Sequence, residues 1–539
     1  MKSLLFLLVL LKLSLSRIFR IDKSTKHIVD DKKRVNIFHG VNVVVKLPPF
    51  IPIVDKFDPF YSLSDEDINY FKKFGFNLVR LGVTWESLER APGVFDYDHL
   101  DRIGELINKL GNNGIYVIID AHQDVFSRLF CGEGVPTFYA KDLFYEKECK
   151  SNFLSRIMRI FGGCVPLKTF HWKYNDDGLP IIESCRGGFM KYYQSPELST
   201  IYTSFYNNQN GIQDKFAEFW KVIAKKFKDH PHVIGYDLWN EPWPGNLWSD
   251  LRSFFPGHSD RSQVLPFYKK LDKEIRSVDD NFINMFETVP FPDTLPLGGG
   301  KTIGNLPETP GGEKHSDKQV LNLHSYCCQA GPNVCEKGEP SLENSQTLCK
   351  KFHRTKLNAH NNNAKKLGVP LIITEFGACS NSDACYHELA GFAQAAEDFM
   401  VSWAYWMYKP YGDHTTTAAE HTEGLFLDNG LPQENKIKAL TRTYVQSYQG
   451  TPLFVKFDPE TATFNSSFLY DEEIDAPTVI YYNKEYFYPN GHVLSITDER
   501  GENIEYSIDL EVENYYSFKI KQKFSKKNPI VNIKFTRQA

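Results

Sequence analysis

Gly235-Tyr-Asp-Leu-Trp-Asn-Glu-Pro242 completes a strand-like apolar run that begins at Val233 and ends on a glutamate, Glu241. Leu371-Ile-Ile-Thr-Glu-Phe-Gly377 repeats this arrangement and ends on Glu375. A carboxylate at the end of a buried strand is unfavourable unless it has a function. Two of them in matching settings predict an active site built on a pair of glutamates.

Strand-like runs of this kind alternate with helix patterns along most of the chain. Runs such as Tyr116-Val-Ile-Ile-Asp120 are apolar without alternation, as expected of strands buried on both faces. Between the runs, Ser64 is a predicted N-cap for a helix that stops at Gly75. The predicted strands are Phe38–Lys46, Asn77–Trp85, Ile115–His122, Val233–Glu241, Phe282–Val289, Val320–Tyr326, Leu371–Phe376 and Val401–Tyr408.

These repeats predict an α/β fold, a (β/α)8 TIM barrel with long βα-loop insertions. An open doubly wound sheet is the alternative, but it needs a glycine-rich phosphate turn after an early strand, and the sequence has none. Beyond about residue 450, short alternating β segments separated by turns predict a C-terminal all-β sandwich. The predicted domains are a signal peptide over 1–16, a catalytic barrel over 17–449 and the sandwich over 450–539.

Residues 1–16 have an early lysine, a short apolar run and small residues near Ser16, the pattern of a secretory signal peptide. The expected location is therefore secreted or lumenal, with an uncleaved anchor as the alternative. All ten cysteines lie between Cys131 and Cys385, and their spacings favour disulfides over a zinc site because paired C-x-x-C units are missing. Cys379 is expected to pair with Cys385, and the other pairings stay open.

The charge of the chain limits its partners. The net charge is −5, and no stripe of lysine or arginine runs along any segment. This balance argues against nucleic-acid binding and against docking on anionic lipid through a polybasic patch. We therefore expect no nucleic-acid partner.

Side chains at the carboxyl ends of barrel strands face one cavity, and this chain places polar or aromatic residues at most of these ends. Arg80 could instead be a structural ion-pair residue, and His122 and His324 could be core histidines with satisfied hydrogen bonds. The order of the whole set favours catalysis. The candidate site residues are Lys46, Arg80, His122, Asp124, Asn240, Glu241, His324, Tyr326, Glu375 and Trp406.

Retaining glycoside hydrolysis fits these residues, because it needs one protonated and one ionised carboxyl group roughly 5–5.5 Å apart. Arg80 and Tyr326 are expected to donate hydrogen bonds to Glu375 and to hold it ionised as the nucleophile. Glu241 is then the general acid/base, its pKa raised by the neighbouring charge. Asn240 is expected to bind the sugar 2-OH, Trp406 to stack on a ring face, and Lys46, His122 and Asp124 to contact hydroxyls. The full set of substrate-binding candidates is Lys46, Arg80, His122, Asp124, Asn240, His324, Tyr326 and Trp406.

Several motifs resemble those of a known family. They are Gly40-Val-Asn-Val, Thr84-Trp-Glu, Asp120-Ala-His-Gln-Asp124, the Gly235–Pro242 stretch and Trp403-Ala-Tyr-Trp406, together with Arg80, His324, Tyr326 and Glu375. Through these residues the chain resembles glycoside hydrolase family 5, a group of retaining (β/α)8 glycosidases, and within it the endoglycoceramidases. The likeness covers about residues 30–539. The cysteine-rich insertion from Cys131 to Cys185 and the Cys327–Cys349 loop lie outside the matching motifs.

The resemblance implies an endo-β-glycosidase that hydrolyses the bond between oligosaccharide and ceramide in glycosphingolipids, without a metal or a cofactor. It implies Glu241 as acid/base and Glu375 as nucleophile. The expected partners are the glycosphingolipid, a membrane surface in transient contact, and a detergent-like molecule or an activator protein; the enzyme is expected to be a monomer. A β-glucosidase, glucanase or steryl-glucosidase of the same family is the alternative. A non-catalytic glycolipid-binding protein is the alternative of another class, and it requires loss of a carboxylate.

Apolar loop residues offer a softer indication of a lipid ligand. The first loop reads Leu47-Pro-Pro-Phe-Ile-Pro-Ile53. If the two loops line one rim, they predict an apolar surface beside a polar pocket, suited to a sugar head with a lipid tail. The alternative is a core internal to the insertion. The residues of the second loop are Val125, Phe126, Leu129, Phe130, Val135, Pro136, Phe138 and Tyr139.

Overall fold

The computed structural model describes residues 19–147, 149, 163–185, 188–245, 247–248, 250–290, 306–331, 333–418 and 422–538. The predicted signal peptide over 1–16 lies outside the described residues. Within them, no helix is both long enough and apolar enough to cross a lipid bilayer.

Eight parallel strands close into a barrel, which confirms the predicted fold class. Each predicted strand is present, with ends that differ by a few residues. Neighbours in the chain are neighbours in the sheet, and the last strand pairs with the first. The strands are β1 (His39–Val43), β2 (Leu78–Gly82), β3 (Tyr116–Asp120), β4 (Val233–Asp237), β5 (Asn284–Glu287), β6 (Gln319–Ser325), β7 (Leu371–Phe376) and β8 (Ser402–Tyr405).

The amino-terminal end of the barrel is closed by apolar side chains. Leu78, Ile118 and Ile372 belong to one buried cluster there. Phe19 packs edge to face against Phe38 and Tyr116, with ring centroids 5.3 and 4.7 Å apart. This packing leaves only the carboxyl ends of the strands for a polar site, as in other barrels of this type.

Helices surround the barrel and connect its strands. Ser64 is the N-cap of the helix Asp65–Phe74, which ends at Gly75 with φ +75°, as predicted. The other helices are Trp85–Leu88, Tyr97–Gly111, Thr137–Leu143, Phe189–Tyr192, Pro196–Tyr206, Ile212–Phe227, Leu265–Arg276, Leu342–Asn344, Lys350–Leu367, Asp383–Phe399, Glu434–Leu440 and Lys484–Phe487. Short 3-10 or π turns lie in the loops, and two small hairpins, Glu89–Ala91 with Val94–Phe95 and Cys335–Glu336 with Glu339–Pro340, complete the barrel domain.

Disulfides tie the long loops on the carboxyl side of the barrel. The prediction of disulfides is confirmed, and so is the pairing of Cys379 with Cys385. Within the described residues no cysteine is free. The other pairs are Cys131–Cys185, Cys149–Cys164, Cys327–Cys349 and Cys328–Cys335.

The C-terminal part is a sandwich of two antiparallel sheets, as predicted. The smaller sheet has the order Gly450–Asp458, Thr463–Tyr470, Ile530–Arg537, His492–Thr497. The larger sheet begins with three strands from the start of the chain and has the order Arg20–Ile21, Ile28–Val29, Val35–Asn36, Tyr444–Tyr448, Thr478–Tyr481, Tyr515–Ile520, Tyr506–Val512. The sandwich therefore uses residues on both sides of the barrel in the chain, and the predicted boundary at 449 stays a prediction.

Three tyrosines of the sandwich cap a barrel helix. The hydroxyls of Tyr444, Tyr481 and Tyr515 donate to main-chain carbonyls at the end of the helix Asp65–Phe74, at 2.7, 2.7 and 3.0 Å. The carbonyls belong to Gly75, Lys73 and Lys72, and that of Lys72 also accepts from the Gly75 N–H. The two domains are thus joined by directional bonds as well as by apolar packing.

Candidate active site

Arg80 lies at the centre of the carboxyl face of the barrel and is fully buried. Its guanidinium contacts five side chains from four other strands or the loops after them, and one of these is Asn42, whose Oδ1 accepts at 3.1 Å. It donates to Glu375 Oε1 at 2.6 Å, to Asp237 Oδ2 at 2.9 Å and to Asn240 Oδ1 at 2.8 Å, and it pairs with Asp120 Oδ1 at 2.9 Å. The carboxylates around it hold the pKa of Arg80 above its ordinary value, against the effect of burial. Arg80 is therefore a permanent cation in the floor of the site.

Glu375 is held by a donor on each carboxylate oxygen. Arg80 contacts Oε1, and the hydroxyl of Tyr326 donates to Oε2 at 2.7 Å. Burial raises the pKa of Glu375 above its ordinary value, and the charge of Arg80 offsets part of this rise. Donors on both oxygens favour the ionised form and fix the direction of the carboxylate.

Glu241 lies on the loop after β4 and has different neighbours. Its Oε1 is 2.9 Å from His324 Nδ1, and the same nitrogen is 3.3 Å from Glu375 Oε2. These two oxygens are therefore closer together than the roughly 6.5–9.5 Å that separates the carboxyl groups of an inverting enzyme. Burial, and then the charge of Asp124, raises the pKa of Glu241 to about 7. A group with this pKa can give and take a proton near neutral pH.

A second cluster surrounds Lys46, which is 1% exposed. Its Nζ is 2.7 Å from Asp124 Oδ2, 2.9 Å from Asp413 Oδ1 and 3.4 Å from Glu133 Oε1. Burial opposes its charge, but these carboxylates hold the pKa of Lys46 well above its ordinary value. The Lys46 ammonium group therefore has three carboxylates as partners, and its contact with Asp124 holds that side chain in place.

Trp406 and His122 connect the two clusters. The His122 ring is stacked against Trp406 at 5.3 Å, and Lys46 Nζ lies 4.9 Å from the centroid of a Trp406 ring. Asp120 accepts from His122 Nδ1 at 2.8 Å and pairs with Arg80 through its other oxygen. Despite burial, the charge of Asp120 raises the pKa of His122 to about 10, so this ring is a cation. The Trp406 ring is therefore in contact with two cationic side chains, Lys46 and His122.

The ten predicted site residues converge on one face of the barrel, in two clusters joined through Asp120. Six further contributors were not predicted, and two of them, Glu133 and Asp413, surround Lys46. Asp120 and Asp237 lie inside motifs that the sequence singled out, and Asn42 faces Arg80 in the register of β1 with β2. Glu287 ends β5, a strand to which no site residue was assigned. The rule of strand ends could have found Glu287, because it lies two residues before the predicted end of that strand at Val289.

The apolar residues expected to line an open lipid groove are mostly buried. Val125, Phe126 and Val135 are 0% exposed, and Phe126 packs edge to face against Tyr202 and Phe205. The alternative interpretation, an internal core of the insertion, therefore describes them. Large exposed apolar side chains do occur on loops after β1, β3 and β4. They include Tyr61, Tyr145, Met190 and Phe255, the last with 63% of its surface exposed.

Among the residues that the structure describes, two groups of side chains have ligand atoms close enough together to hold a metal ion: His122 with Asp124 and Glu133, and Glu241 with Glu287 and His324. In the first group, Lys46 Nζ already contacts both carboxylates. A divalent cation there would face an ammonium group. The second group contains the group with a pKa of about 7, which a metal would deprotonate.

Comparison with protein families gives two matches. The model for cellulase (glycosyl hydrolase family 5) matches residues 54–160 and 191–412. The model for the glycoside hydrolase family 5 C-terminal domain matches residues 442–526. The first match covers strands β2 to β8 of the barrel and contains nine of the ten candidate residues, all except Lys46.

Curated relatives and solved structures match nearly the whole chain. An endoglycoceramidase from Cyanea nozakii is 29% identical over 89% of this chain and 87% of its own, and one from Hydra vulgaris is 29% identical over 88% and 82%. Endo-glycoceramidase II from Rhodococcus sp., solved with ganglioside GM3, has a TM-score of 0.67 at 18% identity and covers 96% of this chain and 100% of its own. Sterylglucosidase 1 from Cryptococcus neoformans has a TM-score of 0.70 at 15% identity, over 97% and 98%.

Proposed function

Because the chain belongs to glycosyl hydrolase family 5, we propose that it is a retaining endo-β-glycosidase that cleaves the bond between oligosaccharide and ceramide in glycosphingolipids. The observation that carries this proposal is the difference between the two glutamates. Glu375 has Arg80 and Tyr326 as donors on its two oxygens, whereas Glu241 contacts a neutral imidazole and has a pKa of about 7. Glu375 therefore has the surroundings of a nucleophile, and Glu241 has those of a group that transfers a proton.

The proposed reaction has two displacements. In the first, Glu375 forms a bond to the anomeric carbon, the bond to the ceramide oxygen breaks, and Glu241 gives its proton to that oxygen. In the second, Glu241 takes a proton from a water molecule, whose oxygen attacks the anomeric carbon and releases Glu375. Burial of both carboxyl groups strengthens their interactions with the charge that develops on the sugar.

The remaining candidates have proposed roles in binding the sugar next to the cleaved bond. Trp406 offers a ring face, and Asn240, whose side chain is oriented by Arg80 and by Gln123, would contact the 2-OH. The other proposed substrate-binding residues are Lys46, Arg80, His122, Asp124, His324 and Tyr326. Because Lys46 already contacts three acidic groups, we propose that it acts on the sugar through Asp124.

Ceramide as the leaving group is supported by the endoglycoceramidases to which the chain is similar over most of its length. The exposed apolar side chains on loops after β1, β3 and β4 support transient contact with a membrane surface, since these loops lie on the same side of the barrel as the site. We propose that the enzyme acts as a monomer and that a detergent-like molecule or an activator protein assists access to the lipid.

The test of this function is incubation of the purified protein with ganglioside GM3, lactosylceramide and glucosylceramide, followed by analysis of free glycan and ceramide. Release of intact oligosaccharide and ceramide is expected. Glu375→Gln should abolish it, because the amide cannot act as nucleophile. Glu105→Gln, on the exposed face of the helix Tyr97–Gly111, is a matched control and should keep the wild-type rate.

Two outcomes would contradict the proposal. The structural likeness to a sterylglucosidase makes steryl β-glucoside the second substrate to assay, with a β-glucan as the third. Turnover of these substrates without release from glycosphingolipids would assign the site to the alternative within the family. Binding of GM3 without any turnover would indicate a glycolipid-binding protein instead.

We also propose that the protein is secreted or lumenal, with cleavage of a signal peptide near Ser16. The five disulfides support an oxidising compartment. Expression in eukaryotic cells should deliver protein to the medium or to a lumenal fraction, with a new N-terminus close to Arg17 by mass spectrometry. Reduced protein with an intact Met1 in the cytosol would contradict this location.

A further inference from the structure

Glu287 is a buried carboxyl group that the proposed reaction does not use. It is the last residue of β5 and is 1% exposed. In the part of the chain that the structure describes, no lysine or arginine lies within ion-pair distance of it; the basic side chain that does is His324, whose Nδ1 is 3.5 Å from Oε1. A buried carboxyl group without a cation is unfavourable, so its position calls for a function.

The main chain of Glu241 is the first contact that explains Glu287. The N–H of Glu241 donates to Glu287 Oε2 at 2.9 Å. Glu241 has φ +40°, in the left-handed region, which is unfavourable for a residue other than glycine. An acceptor fixed at the end of a barrel strand stabilises this conformation. It thereby sets the direction in which the Glu241 side chain leaves the main chain.

A chain of hydrogen bonds defines the proton position on His324. The Asn322 amide N–H donates to Asp237 at 2.8 Å, so its oxygen accepts from the Thr374 hydroxyl. This bond uses the only hydrogen of that hydroxyl. His324 Nε2, 3.1 Å from the same Thr374 oxygen, must therefore carry the ring proton.

The other ring nitrogen of His324 is then a lone pair. Burial lowers the pKa of His324 to about 3, so the ring is neutral near physiological pH. Its Nδ1 faces Glu241 Oε1 at 2.9 Å, Glu375 Oε2 at 3.3 Å and Glu287 Oε1 at 3.5 Å. A lone pair beside carboxyl oxygens is favourable only if a carboxyl group supplies a proton, and the closest one is Glu241. This arrangement keeps the proton on the group that must donate it.

Glu287 shares this environment but does not need to ionise. Burial, and then the charge of Glu241, raises the pKa of Glu287 well above its ordinary value. A neutral Glu287 keeps a carbonyl oxygen for the N–H of Glu241 and adds no negative charge when Glu241 releases its proton. A glutamine side chain has the same shape, and it can likewise accept the N–H of Glu241 without adding a negative charge.

We propose that Glu287 is the positioning residue for Glu241: it holds the strained main chain of the acid/base and, together with His324, keeps its carboxyl group directed at the leaving oxygen. The inference rests on the proposed role of Glu241. Glu287 itself touches no reacting atom. Its removal should therefore weaken proton donation to the leaving group and leave the attack by Glu375 largely intact.

The test compares two β-lactosides that differ in their need for a proton. Dodecyl β-lactoside has an alcohol leaving group like that of ceramide, and 2,4-dinitrophenyl β-lactoside has one that departs without a proton. In Glu287→Ala, kcat/KM should fall about 100-fold or more for the dodecyl substrate and by less than about threefold for the dinitrophenyl substrate. Glu287→Gln should recover most of the loss, because its amide oxygen can accept the Glu241 N–H.

The ratio of the two kcat/KM values in one preparation does not depend on the amount of folded enzyme, so partial misfolding cannot imitate the result. Equal losses on both substrates, or a Gln variant as poor as the Ala variant, would overturn the inference. Lactosylceramide is assayed in parallel with wild-type enzyme. If the wild-type enzyme hydrolyses the two lactosides but not lactosylceramide, the proposed ceramide specificity is wrong. The ratio of the two kcat/KM values still tests the role of Glu287 in that case.

Discussion

The two glutamates of the site differ in the groups that their carboxylate oxygens and main-chain atoms contact, although the sequences that precede them are alike. Glu241 and Glu375 both follow apolar runs, and nothing in those runs distinguishes acid from nucleophile. The distinction comes from partners on other strands: Arg80 and Tyr326 for one, His324 and Glu287 for the other. The pair was therefore predictable from local sequence, but the neighbours that separate the two roles required the barrel register.

The pH dependence of activity follows from Glu241. In the proposed reaction Glu241 donates a proton in its neutral form, and burial raises its pKa to about 7. The proton-bound fraction therefore falls as the pH rises through 7, and kcat/KM for dodecyl β-lactoside should drop about tenfold per pH unit above it. Rates measured from pH 5 to 9 check this expectation. The dinitrophenyl substrate is the control and should show a flatter profile; a constant rate for the alkyl substrate up to pH 9 would rule out Glu241 as the acid.

Lys46 should contribute to the stability of the fold as well as to the proposed binding of the sugar. Lys46→Met leaves Asp124, Glu133 and Asp413 close together without their cation, which should lower the free energy of unfolding by about 3–5 kcal/mol. Denaturant unfolding measures this loss. The exposed Lys225→Met on the helix Ile212–Phe227 is the matched control and should change little.

Glu133→Gln added to Lys46→Met should restore part of the stability, because it removes one of the unpaired charges. The deficit of the single variant should also shrink at acidic pH, since burial raises the pKa of Glu133 well above normal and the group becomes neutral first. A deficit that is independent of pH would point to lost packing of the lysine stem instead.

Elements of secondary structure were more predictable than the loops between them. Each barrel strand is a run of apolar residues that can be recognised without knowledge of its partners, and all eight predicted strands are present. The insertion after β3 contains equally apolar residues such as Val125 and Phe126, but their burial depends on distant partners, including Tyr202. For that reason an open groove was predicted where the structure has an internal core.

The disulfides of the loops should differ in their effect on stability. Cys131–Cys185 spans 54 residues and Cys379–Cys385 spans six. In the chain-entropy account, the long loop contributes about 4 kcal/mol and the short one about 2 kcal/mol. Thermal unfolding of the two double-alanine variants should therefore show the larger drop in Tm for Cys131→Ala/Cys185→Ala. The reverse order would mean that strain or residual denatured structure dominates.

At the scale of the whole molecule, the barrel and the sandwich depend on each other. Arg442 binds Glu397 of the helix Asp383–Phe399 and donates to the carbonyl of Phe457 at 2.7 Å. Val29 and Val35 belong to the sandwich core although they precede the barrel. The prediction from sequence placed a boundary between two domains, and it could not include these early strands because two-residue strands carry too little pattern.

Truncation tests this dependence. A chain ending at residue 441 keeps the barrel but loses Tyr444, Tyr481 and Tyr515, and it uncovers Val29 and Val35. We expect it to be poorly soluble and inactive on dodecyl β-lactoside, because apolar surface and helix carbonyls lose their partners. Co-expression of residues 442–539 as a separate chain should restore soluble activity. A soluble, fully active 1–441 chain would show that the sandwich is dispensable.

The three strands at the start of the chain find their sheet neighbour only after the whole barrel has passed. Asn36 accepts a hydrogen bond from Ser447 across 411 residues of sequence, and Val35 aligns with Tyr448. A ribosome therefore releases the first strands long before it has made what they pair with. Val29 and Val35 therefore lack their sheet neighbour until Tyr448 has been synthesised, and chaperones can bind them during that interval.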